Sequence, residues 1–233
     1  MIFGSQRKSW SSRNLLLLFL IIGLLPRVYD GMRFADRVHQ DEIFQTLEPA
    51  HRLAFGFGVI SWEWRDGVRS WVFPAILAVL MRATAWTGPG FLGYLRGIST
   101  SLSLLSLTTI WFGFTWARRA IGMDAAVVTA TACACWYQLV LFAARPLNEV
   151  LAAHILLPGL YLGVYASGLH KGKKLFLASA LCGLAASFRI QLAPAVVFAI
   201  LYFCRRNWRA CLPIATSGFL LPVAVFGLVD ALT

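Results

Sequence analysis

Hydrophobic residues fall into long blocks along this chain, separated by short polar segments. A helix rises about 1.5 Å per residue, and the hydrocarbon core of a bilayer is about 30 Å thick, so apolar runs that approach twenty residues can cross it. The pattern predicts an all-α, polytopic membrane protein with about seven transmembrane helices. The predicted spans lie within residues 14–25, 91–116, 125–143, 150–168, 175–188, 193–204 and 210–231.

Positive charge between the blocks predicts their orientation. Residues 1–13 are basic, and the later segments carry either a cluster of basic residues or a single arginine. Cytoplasmic loops carry an excess of Lys and Arg, so we place the clusters in the cytoplasm and the segments with Arg145 or Arg189 outside. Residues 27–90 then also lie on the non-cytoplasmic side. No small-residue cleavage site follows the first block, so we expect an uncleaved span rather than a signal peptide.

This orientation requires that residues 70–86 do not cross the membrane. These 17 residues would extend about 25 Å as a helix, less than the roughly 30 Å of the hydrocarbon core. Arg82 also lies in their middle. We therefore predict a helix that lies on the outer leaflet or dips into it.

Polar chemistry is concentrated in one early segment, residues 30–66, called here the acidic segment. Seven of the ten carboxylates lie between Asp30 and Asp66, in a chain that is 59% hydrophobic and only 13% charged. The net charge of +11 comes from basic residues beside apolar blocks, not from a basic stripe interleaved with aromatics, so we predict no nucleic-acid partner. The five cysteines lie in or beside apolar blocks, which favours buried thiols over disulfides or a zinc site.

Asp41 and Glu42 are the candidate catalytic pair. Neighbouring side chains on a helix diverge, so one can face a site while the other supports it or is solvated. Helical spacing places polar residues on one face, namely Asp41, Gln45, Glu48 and Arg52, and apolar residues opposite, namely Ile43, Leu47, Ala50 and Ala54. Pro49 is expected to end one short helix and begin another. The same pattern fits a surface helix with a solvated charged face.

The remaining polar motifs each have two interpretations. Glu48-x-x-His51 has the spacing of carboxylate-bridged metal sites, but no second such pair occurs, so we predict no metal. The aromatic residues around Trp62 and Trp64 either anchor the segment at the bilayer interface or stack on a sugar ring. The isolated Arg145 and Arg189 either bind a lipid phosphate or merely extend their charge towards water.

The segment HQDEIFQTLEPAHRLAFGFGVISWEW, residues 39–64, together with VRSWVFP, residues 68–74, resembles glycosyltransferase family 22, the polyprenyl-phosphate-mannose-dependent mannosyltransferases. Arg145-Pro-Leu-Asn148 and Phe188-Arg189 are similar to further elements of that family. The chain departs from the family pattern at Gln40 and Pro146, and at residues 190–191. It has about half the family's length, so we expect the N-terminal part of a longer domain.

The resemblance implies a GT-C fold whose first outer loop carries the catalytic carboxylate. It implies inverting transfer of a sugar, most often mannose, from a polyprenyl- or dolichyl-phosphate donor to a lipid-linked glycan or GPI-type acceptor, without a cofactor. The protein would lie in the endoplasmic reticulum membrane of a eukaryote or the plasma membrane of a bacterium. Asp41 or Glu42 would be the base. The implied substrate-binding residues are His39, Gln45, Glu48, His51, Trp62, Glu63, Trp64, Arg69, Arg145, Asn148 and Arg189.

Two other interpretations remain open from the sequence. The chain could be a non-catalytic lipid-handling or transport protein, in which the acidic segment only binds. The predicted spans lack the carboxylates that transporters usually place within them, which disfavours a carrier. An inactive, truncated relative of the family is the third possibility.

Overall fold

The computed structural model describes residues 11–35, 39–88, 90–166 and 171–233, and within them the chain is helical with no β-strand. The first half contains α1 (Ser12–Arg33), α2 (Gln40–Glu42), α3 (Glu48–Phe55), α4 (Trp62–Arg65), α5 (Val72–Thr84) and α6 (Phe91–Ala120). The second half contains α7 (Met123–Cys135), α8 (Tyr137–Leu141), α9 (Asn148–Val164), α10 (Lys171–Phe188), α11 (Ala193–Cys204) and α12 (Trp208–Leu232).

Two groups of long helices meet at α6. Helix α1 packs against α6 and α7 around a core that includes Ile110 and Phe114. Helices α9, α10, α11 and α12 pack around a second core that includes Leu175 and Val196. Helices α3 and α5 pack against each other, and α5 packs on α6. The acidic segment is thereby fixed beside the start of α9.

The predicted all-α, polytopic membrane fold is confirmed. The predicted number of about seven transmembrane helices is not confirmed. Among the described residues, α1, α6 and α12 are long and apolar enough to cross a membrane, and α7 with α8 adds a fourth if this pair, bent by 55°, is one broken span. Helix α9 has 17 residues and α11 has 12, or about 25 and 18 Å of helix. Helix α10 begins with three lysines within its first four residues.

The first helix is longer than its apolar block. Helix α1 continues through Pro26 and ends at Arg33, so the first residues of the predicted outer segment 27–90 are helical. Residues 36–38 and 89 of that segment, and residues 1–10 with Arg7 and Lys8, lie outside the described residues. The side of the membrane on which the segment lies stays a prediction.

Pro49 does not separate two helices as expected. It lies in the first turn of α3, but the residues before it form a π-helical turn, Ile43–Leu47, that runs directly into α3. Proline lacks an N–H and its ring clashes with the carbonyl four residues earlier. The wider turn, in which the Glu48 N–H bonds to the Ile43 carbonyl, accommodates both effects without a break.

The predicted amphipathic pattern holds across this helix. Leu47, Ala50 and Ala54 are buried against α5, whereas Ile43 is only partly buried. Helix α5 is short for a span, as predicted. Its buried face includes Leu77 and Met81, and Val79 on its opposite face is exposed.

Candidate active site

Asp41 and Glu42 point in different directions, as neighbouring helical residues must. His39 precedes the first turn, and its Nδ1 accepts a hydrogen bond from the Asp41 N–H at 3.3 Å. The Asp41 side chain is 57% exposed, whereas Glu42 is only 2% exposed. One of the two carboxylates therefore faces solvent and the other is enclosed by protein.

Asp41 lies where two cavities meet. The larger, the α8–α9 cavity, has a volume of about 830 Å³ and combines His39, Asp41 and Glu42 with residues of α8, the following turn and α9. The residues that α8, the turn and α9 contribute are mostly apolar: Leu139, Leu141, Phe142, Leu147, Val150 and Ala153. The polar ones among them are Gln138, Arg145 and Glu149.

The second cavity, the aromatic cleft, has a volume of about 410 Å³ and also includes Asp41 in its lining. Its lining is polar and aromatic: Gln40, Asp41, Phe44, Gln45, Val59, Ser61, Trp62 and Glu63. Gln45 Nε2 donates a hydrogen bond to Asp41 Oδ1 at 3.3 Å, which restrains the carboxylate. The Trp62 side chain is 65% exposed and leaves an indole face open to a ligand.

Glu42 joins the acidic segment to the arginine of the α8–α9 cavity. Its Oε2 lies 3.6 Å from Nη1 of Arg145. Thr46 Oγ1 reinforces this junction, because it lies 2.8 Å from both the Glu42 and the Pro146 carbonyl oxygens. Burial raises the pKa of the Glu42 carboxyl above its ordinary value, since the loss of hydration outweighs the opposing effect of the nearby Arg145 guanidinium.

Three other predicted substrate-binding residues lie in a separate cavity. Arg69, Asn148 and Arg189 line a polar space of about 340 Å³, called here the Arg189 cavity. Arg69 forms two hydrogen bonds with Glu63, at 3.2 and 3.0 Å. Arg189 pairs with Glu149, a residue of the α8–α9 cavity.

An apolar groove of about 520 Å³ adjoins the Arg189 cavity and shares Phe73, Phe188 and Phe226 with it. Its walls are formed by α5, α6, α9, α10 and α12. Both predicted phosphate-binding arginines thus lie beside apolar surface, but Arg145 is the one that shares a cavity with Asp41.

Several predicted site residues instead hold the protein together. Glu48 Oε2 accepts a hydrogen bond from the Val59 N–H at 2.7 Å, and His51 Nδ1 lies 2.8 Å from the Phe57 carbonyl oxygen. Trp64 is buried, and its Nε1 donates to the Phe44 carbonyl at 3.0 Å. These side chains do not line the α8–α9 cavity, the aromatic cleft or the Arg189 cavity. Glu48 and His51 hold the loop after α3, and Trp64 connects α4 to the π-helical turn. A role for these residues in binding substrate stays a prediction.

Sequence reasoning missed Asp230. This carboxylate near the end of α12 accepts hydrogen bonds from Ser70 Oγ at 3.0 Å and from the Trp71 N–H at 2.9 Å. It lines the Arg189 cavity. Its one signal in the sequence is that it is a lone carboxylate in the last apolar block.

Comparison with known proteins finds relatives among the GPI mannosyltransferases. The chain is 48% identical over 69 residues to GPI mannosyltransferase 3 of Yarrowia lipolytica, an alignment that covers 30% of this chain and 14% of the relative. It is 41% identical over 70 residues to GPI mannosyltransferase 3 of Saccharomyces cerevisiae, covering 30% and 10%. The Drosophila melanogaster protein of the same name is 49% identical over 45 residues, covering 19% and 8%. The aligned regions are thus a small part of each relative's length.

No solved structure matches the chain significantly. The sequence profile of the Alg9-like mannosyltransferase family, however, matches residues 15–232, which is nearly the whole chain. This confirms the resemblance found in the acidic segment and extends it through the apolar helices. The chain belongs to the Alg9-like mannosyltransferase family.

Proposed function

We propose that this chain carries the catalytic part of a membrane mannosyltransferase that uses a polyprenyl- or dolichyl-phosphate mannose donor and needs no cofactor. The observation that supports it best is the position of Asp41, which lines both the α8–α9 cavity and the aromatic cleft. A base for glycosyl transfer must touch the acceptor hydroxyl while that hydroxyl faces the donor sugar. A carboxylate at the junction of two cavities meets this requirement.

The donor would occupy the α8–α9 cavity. Its isoprenoid chain would lie on apolar side chains such as Leu139 and Phe142, and its phosphate would lie near Arg145. Arginine suits this position because its planar guanidinium can hold two phosphate oxygens. As the bond from the anomeric carbon to phosphate breaks, the same contacts stabilise the negative charge on the leaving group.

The acceptor would enter through the aromatic cleft. A sugar ring can stack on the exposed Trp62, and Gln45 and Glu63 can bind its hydroxyls. Three of the relatives are named GPI mannosyltransferase 3, which favours a GPI-type glycolipid as the acceptor. The protein would then work in the endoplasmic reticulum membrane of a eukaryote.

Asp41 would take the proton of the acceptor hydroxyl as the oxygen attacks the anomeric carbon from the face opposite the phosphate. The new bond joins the acceptor oxygen to that carbon, the lipid phosphate leaves with the electron pair, and the configuration inverts. General-base catalysis of this kind contributes roughly 10²–10⁴-fold in rate. Glu42 would act differently, because it is buried and holds Arg145 rather than facing the cleft.

The test is transfer of labelled mannose from a polyprenyl-phosphate donor by the full-length protein in membranes. Asp41→Asn should lower transfer by at least about 10²-fold, while donor binding, measured separately, is kept. Asp66→Asn is the matched control, because Asp66 is an exposed carboxylate of the same segment and lines neither cavity. Full transfer by the Asp41 variant at wild-type protein levels would overturn the proposal and favour a binding role for the segment.

A further inference from the structure

Helix α1 carries a buried arginine that the proposed reaction does not use. Arg27 is 1% exposed. Its Nη1 donates to the Gly23 carbonyl at 2.7 Å and to the Ala134 carbonyl at 3.0 Å, and its Nη2 donates to the Cys133 carbonyl at 2.7 Å. A buried charge within an apolar span is costly, so its presence calls for a specific partner.

The partner is the break between α7 and α8. Helix α7 ends at Cys135, the Trp136 backbone is extended (φ −63°, ψ 123°), and α8 leaves at 55°. The last carbonyls of a helix lack partners within it, and inside a membrane there is no water to replace them. The Trp136 N–H bonds to the Ala132 carbonyl, and Arg27 binds the next two carbonyls.

The residues after this break form one wall of the α8–α9 cavity. Gln138, Leu139 and Phe142 line it, and Arg145 follows directly. The direction in which α8 leaves α7 therefore helps to decide where the Arg145 guanidinium lies relative to Asp41.

Two glycines on the same face of α1 bring the helix close enough for this contact. A Cβ at Gly23 would overlap Ile110 Cδ1 and lie 3.1 Å from Arg27 Nη1. A Cβ at Gly31 would lie 2.9 Å from the Ser99 Cβ and 3.2 Å from that of Ala144, the residue before Arg145. Gly23, Arg27 and Gly31 are the buried residues of α1. Arg27 contacts the end of α7, where the cavity wall begins, and Gly31 lies against Ala144, where the wall ends.

We propose that Arg27 is a positioning residue of the active site. It caps the broken end of α7, fixes the direction of α8 and so holds Arg145 in place against the α8–α9 cavity. The inference rests on the proposed function for its catalytic consequence. Its structural part, the control of the cavity wall by Arg27, can be tested without any transfer reaction.

The structural test measures the reactivity of a cysteine placed in the wall of the cavity. Leu139→Cys is made in the full-length protein, with Cys133 and Cys135 changed to alanine, which leaves the Cys133 backbone carbonyl available. Arg27→Met should change the rate of thiol labelling at position 139 at least 3-fold, because the capped carbonyls lose their donors. Arg33→Met, at an exposed position of the same helix, should not.

The catalytic test is a double-mutant cycle with Arg145→Ala. If Arg27 acts through Arg145, Arg27→Met should lower transfer at least 10-fold in the wild-type background and less than 3-fold in the Arg145→Ala background. Arg27→Lys should recover part of the activity, because an ammonium can bind one or two of the carbonyls. If Arg27→Met does not fold, Arg27→Lys is used in both tests, with smaller effects in the same directions.

Unchanged labelling together with additive effects on transfer would overturn the proposal and leave Arg27 as a stabilising core residue. Altered labelling in a protein whose wild type transfers no mannose would support the positioning of the wall while refuting the proposed function. The two proposals can therefore fail separately.

Discussion

The Glu42 carboxylate and the Arg145 guanidinium form an ion pair in which Oε2 and Nη1 are 3.6 Å apart and the side chains are 3% and 14% exposed. The pair connects the acidic segment to the turn before α9, and the hydroxyl of Thr46 contacts the carbonyls of Glu42 and Pro146 beside it. Truncating one member of such a pair leaves the other charge buried without its partner. The resulting loss of stability is larger than the net stabilisation that the intact pair provides. Under the proposed function, Glu42 would support the site by holding Arg145 rather than act as the base.

The stability contributed by Glu42 should fall as pH rises. The pKa of its carboxyl is raised in the folded protein, chiefly by burial, so the folded state binds this proton more tightly than the unfolded state does. The contribution is fully present below the unfolded pKa and is lost as pH passes through the folded one. Relative to Glu42→Gln, which does not titrate, the wild type should unfold at progressively lower temperature as the pH is raised from about 4.5, the ordinary pKa of the carboxyl.

Thermal unfolding in detergent across this range provides the measurement. The comparison is between the two unfolding temperatures at each pH, so titration of all other groups cancels. A wild type that instead gains stability over Glu42→Gln as pH rises would mean that attraction to Arg145 outweighs the loss of hydration.

Arg145→Ala should weaken donor use more than Arg189→Ala, because Arg145 lines the cavity that contains Asp41. Loss of a charge-assisted hydrogen bond costs about 1.5–3 kcal/mol, which corresponds to roughly a 10- to 150-fold effect. Lysine should restore only part of this, since it cannot hold two phosphate oxygens in one plane. The measurement is transfer as a function of donor concentration.

The converse result for the two arginines would be informative. If Arg189→Ala has the larger effect, the donor phosphate lies in the Arg189 cavity, and its lipid chain lies in the adjoining apolar groove. Unchanged donor kinetics for both variants, at wild-type protein levels, would show that neither arginine binds the phosphate.

The part of the outer segment that follows α1 should lie wholly on the non-cytoplasmic side of the membrane. Single cysteines introduced at Asp66 and Gly88, which flank α5, should both react with an impermeant thiol reagent applied from that side. Helix α5 is too short and too closely packed on α3 and α6 to separate them across a bilayer. Reaction at position 66 alone would show that residues 70–86 cross the membrane.

Asp230 should stabilise the joint between α12 and the outer segment. Its carboxylate accepts from both Ser70 and the Trp71 N–H, so Asp230→Ala should destabilise the protein by about 1 kcal/mol. Ser70→Ala should cost less in that background than in the wild type, since the two share one interaction. Thermal unfolding of the two single variants and the double variant measures this, and strictly additive losses would show that the contact does not contribute.

The sequence by itself determined the features that depend on local order. The apolar blocks predicted an all-α membrane protein, the helical spacing around Leu47 and Ala50 predicted the buried face, and the segment from His39 to Trp64 identified the family. The divergence of Asp41 and Glu42 also followed from helix geometry alone. These properties are set by periodicity and by short motifs, and both can be read from neighbouring residues.

Only the tertiary structure decided which distant groups meet. Nothing local shows that Glu42 pairs with Arg145, that Arg189 opens into a different cavity, or that Asp41 lies between two of them. Among the described residues, three or four helices are long and apolar enough to cross a membrane, fewer than the seven predicted blocks, because hydropathy does not reveal where a helix begins, ends or breaks. The sequence did not single out Arg27 or Asp230, because their partners come from distant helices. Arg27 donates to carbonyls at the end of α7, and Asp230 accepts from the Ser70 hydroxyl and the Trp71 N–H just before α5.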